Sequence, residues 1–451
     1  MHNTHPLTVL LAQRGWTSES YLRRVRAEYI RRGYGQNFAT RKEKVSRWTA
    51  DARPQVPTRP TQLAMAAVLG ISPREVQAQG WPNWLLAGLQ QNDGLWELPW
   101  TAAGTIQALD HDGGPVDRRH MLIASTGTVA AVIAQWATAH PSDAQSAGQR
   151  IDASSAARID DRLTALRHLD DDLGADVVYD AAVAEIRLAR RLLRDFTYSE
   201  DVGRRLFASA AEAARLAGWC AYDSGRLQQA ERHYHQSLRA AGSAGDRTAG
   251  AVAAAFWSIV RYSGTSQDSS SALDMLDNAL SYRGSITSPR VVTLLYIRQA
   301  RAHSVAGNSA AAYRAVDAAL SAYDRGGPPS EDLERMYWVN AGEIFQAAGS
   351  AALTVGDPRR ALDYFDAALT HADPYDAGLE RRGTAIYEAR RAAAYLALGD
   401  VDGAVETAER AVELMGGVSS ARASGTLAGL RRDLASHRRT PVVAEFLAST
   451  G

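Results

Sequence analysis

Apolar residues recur three and four positions apart along almost the whole chain, and no long segment alternates with a period of two. This spacing gathers apolar side chains on one face of a helix, so it predicts an all-α protein. Turn-forming residues interrupt the pattern at 33–37, 53–60, 110–115 and 139–155, and again near 263–271, 284–289 and 325–330. The predicted helices are therefore short near the N-terminus and longer in the remainder.

The C-terminal two-thirds of the chain contains a repeated spacing. A glycine is followed five residues later by an alanine and eight residues after that by an aliphatic residue. The spacing predicts a helix, a tight turn at the glycine and a second helix, with the alanine at the close approach and the aliphatic residue on the same face. The copies are Gly225/Ala230/Leu238, Gly307/Ala312/Leu320, Gly356/Ala361/Leu369 and Gly399/Ala404/Val412, with a degenerate copy at Ala272/Leu280.

Residues 5–80 are predicted to form five short helices, of which residues 40–54 supply the third and residues 72–80 the last. Thr40 with Glu43, and Ser72 with Glu75, have the spacing of a capping box. The predicted inward positions are Leu7, Leu10, Leu11, Tyr21, Leu22, Val25, Tyr29, Val45, Trp48, Leu63, Ala67 and Leu69.

Charge is unevenly distributed along the chain. The first 90 residues hold 13 basic and five acidic residues, and because the formal net charge is zero, the rest is acidic by the same excess. A basic head on an acidic body is typical of a nucleic-acid-binding module attached to another domain. The alternative is a head that packs on the body through charge. Lys42 and Lys44 are the only lysines, but an arginine-rich composition fits a GC-rich genome and carries no functional argument.

Several function classes are disfavoured. The single cysteine, Cys220, excludes an internal disulfide and a cysteine zinc site, which fits a cytoplasmic protein. Neither lysine follows a glycine, so no phosphate-binding loop is present, and no H-E-x-x-H motif occurs. The apolar run 121–136 is too short and too polar to span a bilayer comfortably and predicts a buried or docking helix. We expect no enzyme activity, no cofactor, no metal and no membrane partner.

The repeated spacing resembles the tetratricopeptide repeat. Gly218 falls at that family's small position in the first helix, and Tyr234 and Phe365 fall at its aromatic position in the second helix. The resemblance implies a superhelix whose concave face receives peptides or protein segments. The inward positions that it implies as ligand-binding residues are Arg215, Trp219, Tyr222, Trp257, Arg261, Arg301, Glu343 and Gln346. Aromatic and arginine side chains suit a ligand with carboxylate or carbonyl groups, and the alternative for each residue is packing between repeats.

The stretch "KVSRWTADARPQVPTRPTQLAMAAVLGISPREV" resembles the second half of a helix-turn-helix domain of the phage-repressor-like (XRE) class. Followed by "GWPNWLL" and the repeats, it resembles actinomycete transcriptional regulators with an XRE head and a tetratricopeptide body. The resemblance implies that the third helix enters the major groove of double-stranded DNA. Its implied base-reading residues are Lys42, Glu43, Ser46 and Arg47, with Lys44 or Arg41 on phosphate. Glu43 also belongs to the predicted capping box, so its role stays open.

We therefore predict an N-terminal helix-turn-helix bundle (1–82), a connecting region with a docking helix (83–155), a tetratricopeptide-like superhelix (156–440) and a tail (441–451). The implied function is a DNA-binding transcriptional regulator. Its repeat domain would bind a small signal, a peptide or a partner protein, and would mediate homodimerisation. A shift of superhelix pitch would then alter the spacing of two heads. The alternative is a scaffold that does not bind DNA and sequesters a partner through the superhelix.

Overall fold

The computed structural model describes residues 5–13, 16–50, 55–69, 71, 76–77, 80–85, 95–110, 126–141, 149–263, 268–371, 381–416 and 420–450. These residues form twenty α-helices, some 3-10 turns and one pair of two-residue parallel strands at Gln149–Arg150 and Phe196–Thr197. The predicted all-α class is confirmed. The chain divides into two compact units, one made of Met1–Leu98 with Gly113–Thr128 and the other of Pro99–Asp112 with Val129–Gly451.

The first unit contains a small helical bundle. Its helices are α1 (Pro6–Gln13), α2 (Ser18–Arg31), α3 (Glu43–Trp48) and α4 (Arg59–Leu69). Thr17 caps α2, because its hydroxyl accepts a hydrogen bond from the amide of Ser20 at 3.2 Å. The buried core includes the predicted residues Leu7, Leu10, Leu11, Tyr21, Leu22, Val25, Val45, Trp48 and Leu69.

In the first unit, two predicted details are wrong, and a third lies outside the residues that the structure describes. The capping box at Thr40 is wrong, because α3 begins at Glu43 and its N-cap is Lys42, which makes no side-chain capping bond. On α4 the fully buried face carries Ala64, Met65 and Ala66, whereas the predicted Leu63 and Ala67 are only half-buried. Ser72 and Glu75, the second predicted capping box, lie outside the described residues, as does most of the fifth helix.

The second unit is an array of helical hairpins. Two shorter helices, α5 (Ala102–Ala108) and α6 (Thr126–Thr138), precede it and α7 (Ala153–Leu173) pairs with α8 (Ala175–Asp195). Five further pairs and two closing helices follow. They are α9 (Glu200–Asp223), α10 (Leu227–Ala244), α11 (Arg247–Ser263), α12 (Ser269–Ser281), α13 (Pro289–Val305), α14 (Ser309–Asp324), α15 (Ala341–Thr354), α16 (Pro358–Thr370), α17 (Arg381–Ala397), α18 (Val401–Met415), α19 (Ala421–Leu434) and α20 (Pro441–Ser449).

The hairpin turns and the close helix approaches occur where the repeated spacing predicts them. All four turn glycines have positive φ, between 74° and 83°, a conformation that glycine adopts without the strain of a Cβ. The alanine five residues later is fully buried in each copy. A Cβ at Gly218 would lie 2.8 Å from the ring of Tyr234, and one at Gly349 would lie 2.7 Å from Phe365. The first and second helices therefore meet through a glycine and an aromatic ring.

The aliphatic residue of the repeat was predicted to lie on the same buried face as the repeat alanine, and this is wrong in detail. Leu369 is 48% exposed, although Leu238, its counterpart in the first copy, is buried. Eight residues rotate about 80° beyond two full helical turns, whereas seven residues return almost to the starting face. The seventh residue after the repeat alanine is buried in every clear copy, as Ser237, Ala319, Ala368 and Ala411.

The segments on either side of the repeats also belong to the second unit. On α6, which covers part of the predicted docking helix, Val129, Ile133 and Trp136 are buried. A Cβ at Gly250 of α11 would lie 2.4 Å from the Trp136 ring, so α6 packs directly on the array. Residues 441–451, expected to be a tail, instead contain α20, which packs on α18 through the buried Phe446 because an apolar face repeats along it.

The glycine–aromatic contact predicts a contrast between two helical glycines. Replacing Gly349 with alanine should lower the free energy of unfolding by about 1–3 kcal/mol, because the new methyl group overlaps Phe365. Replacing Gly425, which is exposed on α19 with open space around it, should raise that free energy by up to about 1 kcal/mol. Urea unfolding followed by circular dichroism measures both, and equal effects would contradict the close packing at Gly349.

Candidate functional site

The third helix of the first unit exposes a mixed polar surface. Val45 and Trp48 are buried in the core, which fixes the rotation of α3 about its axis. As a result Arg41, Lys42, Glu43, Ser46 and Arg47 are all exposed, and the Nε of Arg47 donates to the main-chain oxygen of Glu43 at 3.4 Å. Because no capping box forms, the carboxylate of Glu43 is not engaged by Thr40. This exposed set is called the α3 face below.

The long connection 32–42 is anchored by one aromatic side chain. Phe38 is 6% exposed, and its ring lies 5.2 Å from that of Tyr29 on α2. The ammonium of Lys44 lies 3.6 Å from the centre of the Phe38 ring and 5.5 Å from that of Trp48. Burial lowers the pKa of Lys44. Lys44 is therefore half-buried in a cation–π contact and helps to position α3.

The basic residues of α2 and of its C-cap, Arg32, divide into two groups. Arg31 and Arg32 both pair with Glu28, at 2.7 Å and 2.5 Å, and the hydrogen bond from Arg31 lowers the pKa of that carboxyl. Arg23 and Arg26 are exposed, and neither forms an ion pair within the residues that the structure describes. The uncompensated positive charge on α2 is therefore carried by Arg23, Arg26 and Arg24, and Arg24 lies over the Trp16 ring.

The second unit encloses a central cavity of roughly 830 Å³ including its mouth. The first helix of each hairpin supplies most of its wall, and the connection between α14 and α15 supplies residues 335–338. Seven arginines but only three carboxylates line it, so the cavity is strongly basic. The charged residues are Arg167, Arg215, Arg298, Arg335, Arg382, Arg390, Arg422, Asp170, Asp171 and Glu343, and the aromatic residues are Trp219, Phe256, Tyr337, Trp338 and Tyr387.

A buried ion network joins the beginning of the array to its end. Arg382 of α17 binds Asp170 of α7 at 2.8 Å, although 212 residues separate them in sequence. The same guanidinium lies 3.4 Å from Asp223 of α9, and Arg422 of α19 donates to that carboxylate at 3.1 Å. Trp219 donates its indole N–H to Asp170 at 3.0 Å. We call this set the closure network, because it brings the two ends of the superhelix into contact.

A second polar cluster holds the α14–α15 connection against α7. Glu334 of the connection accepts a hydrogen bond from Arg167, and Tyr337 donates its hydroxyl to Asp171. Although burial opposes ionisation, Arg215 and the neighbouring arginines lower the pKa of Glu212, the other partner of Arg167, to about 2. Burial raises the pKa of Asp171 to about 6, against the opposing hydrogen bond from Tyr337. The connection thus forms one wall of the cavity.

The structure brings together three of the eight residues predicted for the concave face. Arg215, Trp219 and Glu343 line the cavity. The other five are engaged between helices, as the packing alternative describes. Tyr222 bonds Ser263, Trp257 and Arg261 donate to Glu231, Arg301 donates to the main-chain oxygen of Ser350, and Gln346 is 3% exposed.

Six of the seven wall arginines were not predicted from the sequence. Arg167 lies on α7 and Arg335 on the α14–α15 connection. Arg298, Arg382, Arg390 and Arg422 lie on α13, α17 and α19, each the first helix of a hairpin or the closing helix. An arginine on successive first helices is a signal that the sequence contains. It is obscured because arginine is abundant everywhere in this chain, and because the contacts across the cavity join residues about two hundred positions apart.

Comparisons with known proteins leave the family open. A scan against models of known protein families finds no match, and a search of curated proteins finds none either. Within the described ranges, no helix is long and apolar enough to cross a membrane. Those residues also contain no group of three or more histidine, cysteine, aspartate or glutamate side chains arranged to hold a metal ion.

The closure network predicts a large difference between two adjacent arginines. Arg382→Ala should lower the free energy of unfolding by about 3–5 kcal/mol, because it leaves the buried Asp170 without its cation and removes one of the two cations at Asp223. The neighbouring Arg381 is exposed, and Arg381→Ala should change that free energy by less than about 0.5 kcal/mol. Thermal and urea unfolding measure both. A small effect of Arg382→Ala would show that the stability of the repeat unit does not depend on this contact between its two ends.

The raised pKa of Asp171 predicts a pH dependence with a defined sign. Its folded-state pKa of about 6 lies above the ordinary value of 3.8, so the folded protein holds this proton more tightly than the unfolded chain. Stability should therefore fall by about 1–3 kcal/mol as pH rises from about 4 to about 6, and then level off. Asp171→Asn should lack this fall, whereas Asp172→Asn, at an exposed neighbour, should retain it. Parallel curves of unfolding midpoint against pH for all three proteins would contradict the shift.

Proposed function

We propose that the protein is a DNA-binding transcriptional regulator whose helical-repeat unit receives a small signal or a peptide or protein partner and mediates dimerisation. The observation that supports this most directly is the α3 face. Val45 and Trp48 hold one side of α3 in the core, while Arg41, Lys42, Glu43, Ser46 and Arg47 are exposed together. Side chains of these types suit guanine and cytosine edges and phosphate oxygens.

Charge and helix length support the same proposal. The first 90 residues carry an excess of positive charge over a chain of zero net charge, which favours contact with a phosphate backbone. An α-helix with its side chains is about 10–12 Å across, which the major groove admits, and at six residues α3 is about 9 Å long. A short helix of this kind offers few contacts, so a homodimer that doubles them is part of the proposal.

A titration with matched double variants tests the DNA contact. Lys42→Ala/Arg47→Ala should weaken binding to a preferred genomic fragment at least about tenfold in an electrophoretic mobility shift, because a good base contact contributes roughly 1–3 kcal/mol. Arg438→Ala/Arg439→Ala removes the same charge from exposed positions of the second unit and should leave affinity nearly unchanged.

The genomic DNA fragments for this titration are first obtained by chromatin immunoprecipitation of the tagged protein. Circular dichroism and the unfolding midpoint show that each variant keeps its fold. If no sequence preference survives moderate salt, the proposed DNA contact is wrong. The favoured function would then be the scaffold alternative, in which the repeat unit sequesters a partner.

A further inference from the structure

The central cavity has more positive charge than its own carboxylates neutralise. Glu212 accepts bonds from Arg167 and Arg215, and the closure network uses Asp170 and Asp223 to bind Arg382 and Arg422. Three wall arginines take no part in these bonds. They are Arg298, which lies 3.9 Å from Glu343, Arg335, which is among the arginines that lower the pKa of Glu212, and Arg390. This excess of positive charge is concentrated at the cavity, because the guanidinium groups of all three arginines line its wall.

These three arginines have few partners among the described residues. Arg390 donates to the hydroxyl of Ser350 at 3.0 Å and forms no ion pair there. Arg298 is 8% exposed, and its closest approach to a carboxylate is 3.9 Å from Glu343. The Nε atoms of Arg298 and Arg335 are buried and bond no protein atom within that part of the chain. Arg298 is buried, and Arg335 and Arg390 are half-buried. Desolvated cations without a closely matching anion are costly, so these arginines indicate a place for a missing negative group.

The acidic side chain closest to this cluster is poorly suited to supply that charge. Glu343 is 3% exposed and accepts a hydrogen bond from the Tyr387 hydroxyl at 2.8 Å. Burial raises the pKa of Glu343, and burial with the nearby Arg422 lowers the pKa of Arg390. An oxyanion at the arginines would reverse the shift at Arg390.

The remainder of the wall is aromatic and apolar. Phe256 lies at the centre, with its ring 5.5 Å from Trp219 and 6.0 Å from Trp338. Leu216, Met336 and Ile386 complete this surface. An apolar wall beside a few charged groups is typical of sites for small organic molecules.

We propose that the cavity binds a small organic anion whose carboxylate, or similar oxyanion, is held by Arg298, Arg335 and Arg390 and whose flat apolar body packs on Trp219, Phe256 and Trp338. Guanidinium groups match a carboxylate in shape and charge, and their planes approach aromatic rings. This assignment rests on the proposed function, because it gives the chemical class of the signal that the repeat unit receives. The α14–α15 connection supplies Arg335, Met336 and Trp338, so this ligand would contact both the hairpins and the connection.

A competition assay on the full-length protein tests the charge requirement. Anilinonaphthalene sulfonate, an aromatic anion that fluoresces in apolar sites, serves as the probe. Benzoate should displace it at least tenfold more effectively than benzamide, which has the same shape without the charge. Equal displacement by the two compounds would overturn the proposal.

Matched variants locate the site and separate binding from folding. Arg390→Gln and Arg298→Gln should each weaken probe and benzoate binding at least tenfold, while Arg359→Gln, at an exposed position of α16, should not. Without ligand, Arg390→Gln should leave the unfolding midpoint unchanged or raise it, because it removes a half-buried charge that has no ion-pair partner among the described residues. A lower midpoint with unchanged affinity would assign Arg390 a purely structural role and contradict the proposal.

Two further measurements identify the source of the carboxylate and distinguish failure of the cavity proposal from failure of the DNA-binding proposal. A short phenylalanine-ended peptide with a free C-terminus is compared with its amide and with benzoate. Tighter binding of the free-acid peptide assigns the site to a peptide end, and tighter binding of benzoate assigns it to a free organic acid. DNA binding is measured separately, so loss of the α3 contact leaves the cavity result standing, and the reverse also holds.

Discussion

The repeat unit depends on two aspartates that it buries. Asp170 is 3% exposed and Asp223 is completely buried, and such carboxylates are stable in the folded state only with cations and hydrogen-bond donors at their oxygens. The chain supplies them from its far end, through Arg382, Arg422 and Ser420. A buried ion pair adds little net stability compared with apolar packing. It is favourable only when the charged groups meet at hydrogen-bonding distance and in the right orientation. Its effect here is to fix which helices meet where the superhelix closes.

This closure explains why the concave face is a chamber instead of an open groove. In an open array the inward positions of every first helix are available to a ligand. Here Trp219 lies beneath the guanidiniums of Arg382 and Arg422, at 5.8 Å and 4.8 Å. The connection between α14 and α15 contacts α7 through Glu334 and Tyr337. The available surface is therefore concentrated around the arginine-rich pocket, and ligand size is limited by the enclosure.

Local features of the fold could be predicted from the sequence. The turn glycines, the buried repeat alanines and the inward faces of α1, α2 and α3 follow from helical periodicity and from backbone conformations that favour glycine. The capping box at Thr40 failed because the anchored Phe38 and the long connection set where α3 begins, and a short motif does not contain that information. The aliphatic position failed at Leu369 because eight residues do not return to the same helical face.

The candidate sites were less predictable because they depend on contacts between distant segments. The α3 face is local, and its inward and outward residues follow from the spacing of Val45 and Trp48. The cavity is not local, since Asp170 and Arg382 meet only when the four intervening hairpins have the correct cumulative curvature. Arg298 and Arg390 resemble any other arginine in a chain that has many. Only the folded arrangement distinguishes an arginine with a carboxylate partner from one without.

The contact between the ends has a consequence for how this chain can change over evolutionary time. Open repeat arrays lengthen and shorten readily by duplication or loss of whole units, because each unit contacts only its neighbours. In this protein, inserting or deleting one hairpin would rotate α17 and α19 away from Asp170 and Asp223 and leave both carboxylates buried without cations. We therefore expect the number of repeats to be maintained, and sequence divergence to concentrate in the outer helices and connections, where it does not change how far apart the two ends lie.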